Sequence, residues 1–163
     1  MTDEALQTTE DALLDGRVRL LQPKVGYRAG MDAALLAAAI DAEPGERVLE
    51  AGCGAGAALF QAAARAPEAH FTGVERDPLA LGLACRNVEL NGMQERVTAR
   101  AGDIGHGFAA QGFLTPGEPP FDLAFANPPF YDDPKAMRAP HPGKQAAWMA
   151  ETGLDAWTRF LVR

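Results

Sequence analysis

An apolar run that breaks into a cluster of glycines and then into an alanine-rich stretch confines this chain to an α/β architecture. Arg47-Val48-Leu49-Glu50-Ala51 has the aliphatic, β-branched content of a buried strand, and Pro44-Gly45 marks a turn ahead of it. Gly52-Cys53-Gly54-Ala55-Gly56 follows, and the next run, Ala57–Arg65, reads as a helix. Glycine tolerates positive φ and lets another group lie against bare backbone, so strand, glycine turn and helix form the opening of a nucleotide-binding unit. The acid at the head of the motif narrows this further. A dinucleotide fold aims its helix N-terminus at a pyrophosphate, which a carboxylate would repel. The spacing Glu50-x-Gly52-x-Gly54-x-Gly56 suits instead a ligand carrying positive charge, such as an ammonium or a sulfonium.

The alternation continues down the chain. Residues 70–75 read as a second strand ending in Glu75. Asp77-Pro78 supplies an N-cap and a first-turn proline for a helix over 79–90, which Asn91-Gly92 closes. Residues 97–103 read as a third strand ending in Asp103, and 121–126 as a fourth ending at Asn127. In a doubly wound sheet, ligands lie at the carboxyl ends of the strands. Glu75 can there accept two ribose hydroxyls, and Asp103 with the Ile104 backbone can read an adenine amino edge. Taken singly, each acid could be a helix cap or a solvated loop residue. Their order along the chain favours the site.

The fourth strand ends in Asn127-Pro128-Pro129-Phe130. Two prolines remove two backbone donors and fix φ, so the strand stops, and a residue before proline is held extended. The corner offers the Asn127 amide and the Pro128 carbonyl as neighbouring acceptors, with the Phe130 ring alongside. A planar conjugated –NH2 group on a flat ring would fit it. The bland alternative is a proline-rich turn capped by an asparagine.

With these residues in view, the chain resembles a class I methyltransferase dependent on S-adenosylmethionine, of the amino-methylating type that carries Asn-Pro-Pro-Phe/Tyr. The resemblance runs from about Val18 onward. It is most similar to bacterial tRNA adenine-N6 methyltransferases, through the segment Leu20-Leu21-Gln22-Pro23-Lys24-Val25-Gly26-Tyr27-Arg28-Ala29-Gly30-Met31-Asp32-Ala33-Ala34-Leu35-Leu36. Methyltransferases of rRNA guanine N2 and of protein glutamine N5 share the Asn-Pro-Pro element and stay as alternatives, as does a non-catalytic cofactor- or RNA-binding fragment. The resemblance implies a doubly wound, Rossmann-like fold with a mostly parallel sheet. It implies S-adenosylmethionine as cofactor, with S-adenosylhomocysteine as product. Glu50, the 52–56 turn, Glu75, Asp103, Ile104 and Asn127 would surround that cofactor. Asn127, Pro128, Pro129 and Phe130 would carry catalysis. Tyr27, Arg28 and Asp32 would border the target or cofactor, although Tyr27 reads equally as packing and Asp32 as the N-cap of a helix over 33–40. No metal-ligand pattern is present in the sequence, and none is expected to be needed.

At 163 residues and 47 % apolar content the chain can form one domain with a real core. A complete fold of this class has seven strands by resemblance. Four are legible up to Asn127, followed by a helix-like run from Gln145 or Leu154, so the fold is expected to be truncated after that helix. The sheet edge left open would invite association, with the oligomeric state undetermined. Cys53 and Cys85 are expected to be free thiols in a reducing cytoplasm, and no apolar run is long enough to span a bilayer. The net charge of −7 argues against nucleic acid. However, residues 1–15 contain five acids and no Lys or Arg, which leaves −2 for the rest. Residues 1–16 are therefore expected to be a disordered acidic tail, and 17–163 the methyltransferase domain. Arg17, Arg19, Lys24 and Arg28 form one basic segment, and Lys135, Arg138, His141 and Lys144 another. Together they would form a cationic rim able to hold tRNA phosphates.

Overall fold

The computed structural model describes residues 7–25, 28–106, 119–128 and 154–162. Its centre is a parallel sheet of four strands: β3 (Arg47–Ala51), β4 (His70–Glu75), β5 (Val97–Ala101) and β6 (Leu123–Ala126). Their spatial order is β5-β4-β3-β6. The chain steps outward from β3 through β4 to β5, then returns to add β6 on the other side of β3. The order therefore reverses between β3 and β6, and such a reversal opens a crevice at the carboxyl ends.

Helices cover both faces, as parallel strands require. Alternate side chains supply the two cores. Val48, Phe71, Val97 and Phe125 pack with Leu59, Phe60, Ala62 and Ala63 of α2 (Ala57–Arg65). α1 (Met31–Ala39) lies against α2 and adds Ala33 and Ala37 to this core. On the opposite face, Leu49, Ala51 and Val74 pack with Ile104 and with Phe160 of α4 (Leu154–Leu161). The predicted caps of the helix after β4 are present: α3 (Pro78–Leu90) begins with Asp77 Oδ1 accepting from Leu79 N at 3.0 Å, and Gly92 takes φ +62° beyond its end. The last strands are shorter than expected, ending at Ala101 and beginning at Leu123.

The acidic segment corrects the expectation of a disordered tail. Thr8–Leu13 forms β1, which pairs antiparallel with β2 (Val18–Pro23) through a turn at 14–17. Leu14, Asp15 and Gly16 all have positive φ in that turn. The pairing also engages two of the four cations of the first basic segment. Arg19 Nε donates to Glu10 Oε1 at 2.7 Å, and Arg28 Nη2 to Asp11 Oδ2 at 2.7 Å. Burial opposes ionisation of Asp11, yet hydrogen bonds from Gln22 and Thr9 and the nearby Arg28 bring its carboxyl below the usual value. Glu10 and Asp11 are thus partners for Arg19 and Arg28, and strand pairing extends to Thr8.

Two asparagines one turn apart on α3 tie this hairpin to the sheet. Asn87 is fully buried; its Oδ1 accepts from Leu21 N at 2.7 Å, and its Nδ2 donates to Leu21 O and Ala55 O at 3.0 Å each. Asn91 repeats the pattern on Arg19, accepting from its N at 2.8 Å and donating to its O at 2.7 Å. The side-chain amides act as a short pseudo-strand along the edge of β2. Asn87 also grips the glycine turn through Ala55. Asn87→Ala would strand buried backbone groups and is expected to cost roughly 2–4 kcal/mol, against about 1 kcal/mol for Asn91→Ala at the half-buried helix end. Urea denaturation midpoints would check both values; equal small losses would remove the special role of Asn87.

Candidate active site at the carboxyl ends of the strands

The register brings the predicted site residues to one level. Ala51 stands opposite Val74 on one side and Ala126 on the other. The next residues along these strands are Gly52, Glu75 and Asn127. The glycine turn is fastened by its own backbone: Gly52 N and Cys53 N both donate to Val74 O, at 2.8 and 3.0 Å. Glu75 adds a second fastening that the sequence does not announce. Its Oε2 accepts from Gly54 N and its Oε1 from Asp77 N, each at 2.8 Å. The carboxylate expected to meet a ligand therefore also holds the turn to the start of α3. Each of its oxygens retains lone-pair capacity beyond these bonds.

The three glycines of the motif serve different ends. At Gly52 (φ +67°) an added Cβ would lie 2.6 Å from the indole of Trp157. At Gly56 (φ +92°), the N-cap of α2, it would lie 2.3 Å from the Phe60 ring. Only at Gly54 (φ +57°) is there nothing within 4 Å. Two of the bare surfaces read as ligand cradle are thus used for close packing of aromatic rings, and Gly54 alone keeps an open one.

Glu50 sits beneath this turn, buried, with a carboxyl pushed well above its ordinary value. Burial is the main cause, and the nearby Glu75 charge adds to it, while the Leu59 backbone hydrogen bond opposes it. Among the described residues, Glu50 Oε2 has no hydrogen-bond partner. A buried acceptor without a partner is costly, commonly about 1–3 kcal/mol. A cationic group arriving at the site would satisfy it, so the residues present fit a positively charged ligand. The Cys53 thiol is likewise pushed up by burial and by Glu50 and Glu75, which leaves it an inert packing residue.

Asp103 lies just beyond β5, where its Oδ1 accepts from Gly105 N at 2.8 Å and shapes the 3-10 turn Ile104–His106. Ile104 is buried in the lower core. Asn127 Nδ2 donates to Asp32 Oδ2 at 2.6 Å, so the first turn of α1 meets the end of β6. Asp32 is not the helix cap: α1 begins earlier, with Gly30 as N-cap. Pro128 is half-buried beside Asn127. The Arg28 guanidinium lies on Thr9 Oγ1, Asp11 Oδ2 and Pro23 O. Tyr27, Pro129, Phe130, Lys135 and Arg138 lie outside the described residues. Trp157 and Asn87 are site supports that sequence reasoning missed. The amphipathic run Leu154-Asp155-Ala156-Trp157-Thr158-Arg159-Phe160 could have pointed to Trp157; a mid-helix Asn carries no such signal.

A parallel sheet with this reversal, a glycine turn headed by a buried acid and an asparagine ending the neighbouring strand define a methyltransferase-type fold. Residues 42–145 match the methyltransferase domain family, and the chain belongs to it. Among its curated relatives is the tRNA1(Val) (adenine(37)-N6)-methyltransferase of Yersinia pestis (strain Pestoides F), 36 % identical over 116 residues. That match covers 71 % of this chain and 44 % of the relative, so the shared segment is less than half of the relative's length. Solved structures share the fold. A SAM-dependent methyltransferase from Thiobacillus denitrificans in complex with S-adenosyl-L-homocysteine aligns with TM-score 0.50 and 23 % identity, over 82 % of this chain and 44 % of that one. M. jannaschii TYW2 in complex with AdoMet aligns with TM-score 0.51 and 18 % identity, over 64 % and 46 %. No described helix is long and apolar enough to cross a membrane.

Proposed function

We propose that this chain holds the cofactor and catalytic site of an S-adenosylmethionine-dependent N-methyltransferase acting on an exocyclic amine, adenine N6 of a tRNA. The observation that carries the reading is the juxtaposition at the switch point. Asn127, just past the end of β6, stands beside the glycine turn that follows Glu50, whose Oε2 has no hydrogen-bond partner among the described residues. The kinship with tRNA adenine-N6 methyltransferases supports the choice of acceptor.

S-adenosylmethionine, when bound, supplies an electrophilic methyl group on a sulfonium. Glu50 balances the cationic part of the cofactor, and Gly54 leaves room against the turn. Glu75 accepts from the ribose hydroxyls with the lone pairs its backbone bonds leave. Asp103 and the Ile104 backbone read the adenine. On the substrate side, an exocyclic amine is a poor nucleophile because its lone pair is delocalised into the ring. Asn127 Oδ1 and the Pro128 carbonyl each accept one amine hydrogen, which favours a tetrahedral nitrogen and frees the lone pair. Placement of this kind is worth up to about 7–11 kcal/mol in ideal cases, and one fixed dipole about 3–4 kcal/mol. The cationic product amine loses its proton readily to water, so no general base is required before transfer. Phe130 stacks on the extruded base, a contact commonly worth about 1–3 kcal/mol, and Lys135 and Arg138 meet RNA phosphates. The setting is the cytoplasm.

Incubation with methyl-labelled cofactor and unmodified total tRNA, followed by nucleoside analysis, tests the reading. Label in N6-methyladenosine is expected. Label in N2-methylguanosine, or in methylglutamine when protein is offered, would replace the substrate, and no transfer to any amine would refute the function.

A further inference from the structure

We propose that Asp32 is a positioning residue that decides which end of the Asn127 amide faces the substrate; the proposal rests on the reading of Asn127 as acceptor for the substrate amine. An asparagine amide has a carbonyl end and an –NH2 end of nearly equal size, and only the carbonyl can accept from an amine. Left alone, the group can turn about its last torsion and present donors to donors. The 2.6 Å contact between Asn127 Nδ2 and Asp32 Oδ2 removes that freedom. An ionised carboxylate has no proton to give, so the end facing Asp32 is the –NH2 end. Oδ1 is then the end of the amide left to accept from another group.

The surroundings of Asp32 are built to keep it there. A Cβ at Gly30 would come within 2.7 Å of Asp32 Oδ1, although the backbone at Gly30 (φ −111°) is one that any residue adopts. The glycine thus leaves open the space that the Asp32 carboxylate occupies, and a larger residue there would have to push the carboxylate aside. The residues just ahead are anchored on the hairpin. Ala29 N donates to the buried Gln22 Oε1 at 2.6 Å, and Arg28 is held by Thr9, Asp11 and Pro23. Hairpin, helix start, Asp32 and Asn127 form a chain of contacts from β2 to the end of β6.

An exchange of the two side chains tests the proposal, with the full chain, labelled S-adenosylmethionine and unmodified tRNA. Asn127→Asp alone sets two carboxylates against each other, and kcat is expected to fall about 100-fold, the scale of a small misplacement at a reacting centre. Asp32→Asn alone leaves an amide that can offer either end, and a smaller fall in kcat is expected, with KM for S-adenosylmethionine unchanged. In the double variant the new amide at position 32 donates to the new carboxylate at position 127. That carboxylate still accepts from the substrate, so kcat should recover at least about tenfold over Asn127→Asp. A residue that merely supported the fold would give no such rescue. The side-chain amide resonances of Asn127 supply a readout independent of turnover: one hydrogen-bonded proton is expected to shift when Asp32 is replaced by alanine. No rescue in a folded double variant, or unmoved amide resonances in Asp32→Ala, would overturn the proposal and leave the reading of Asn127 standing. Undiminished transfer by Asn127→Ala would remove that reading and the proposal with it.

Discussion

Asn127→Ala is expected to lower methyl transfer by about 10²–10³-fold or more while cofactor affinity stays near that of the unaltered chain. The factor is typical for deletion of one preorganised dipole at a reacting centre. The separation of effects follows from placement. Asn127 ends β6 and turns its –NH2 toward Asp32, whereas Glu50, Glu75 and Gly54 belong to β3, β4 and the turn between them. The side chain is not part of the core, so the change in stability should stay within about 1 kcal/mol. Single-turnover kinetics alongside titration with S-adenosylhomocysteine would separate the two quantities. Retained formation of N6-methyladenosine at the original rate would remove Asn127 from the mechanism.

Glu50→Gln is expected to stabilise the free chain and to weaken the cofactor complex. The Glu50 carboxyl titrates well above its ordinary value because it is buried and near Glu75. The folded chain therefore holds a proton there that the unfolded chain has lost. The stability associated with this group is fully present below the ordinary glutamate pKa and is lost as pH rises through the raised one. Above the ordinary glutamate pKa a glutamine of the same shape has neither a proton to take up nor a charge to bury, so denaturation midpoints should rise. A cationic ligand acts in the opposite sense by favouring the ionised carboxylate. Binding of S-adenosylmethionine should thus release a proton between the pKa of the complex and the raised pKa of the free chain, and affinity should increase with pH across that window. Calorimetry in two buffers of different ionisation enthalpy would detect the release. The Gln variant should bind about 10–100-fold more weakly, the scale of a lost hydrogen bond to a charged group, and should release correspondingly less. Equal proton release from both proteins would show that Glu50 does not meet the positive charge.

The parallel core was legible because its signals are local. Val48, Leu49, Phe71 and Val74 lie in short apolar strands, the glycine turn follows one of them, and Asp77-Pro78 opens a helix where such a pair should. The hairpin was misread although a signal for it existed. Asp15-Gly16 stands between Thr8–Leu13 and Val18–Pro23, the kind of pair that favours a tight turn between strands. Five acids in fifteen residues give the segment the composition of a solvated tail, which masks its pairing pattern. The partners of those acids, Arg19 and Arg28, then looked like an independent basic rim. In the site, the types of residue were legible and their mutual contacts were not. Glu75 reads as a ligand acid, yet its bonds to Gly54 N and Asp77 N depend on how the turn folds over β4. Trp157 meets Gly52 from more than 100 positions away in the chain, and Asn127 meets Asp32 from 95. Such pairings arise from topology, which periodicity and spacing do not encode.

The most direct test of the central claim is titration of S-adenosylmethionine into the isotope-labelled chain, followed through backbone amide resonances, because it needs neither substrate nor turnover. Shifts are expected to concentrate at residues 50–56, 75 and 103–104, with nicotinamide dinucleotide producing none of them. Absence of saturable binding at millimolar cofactor, or shifts confined to residues away from the carboxyl ends of β3, β4 and β5, would contradict the account.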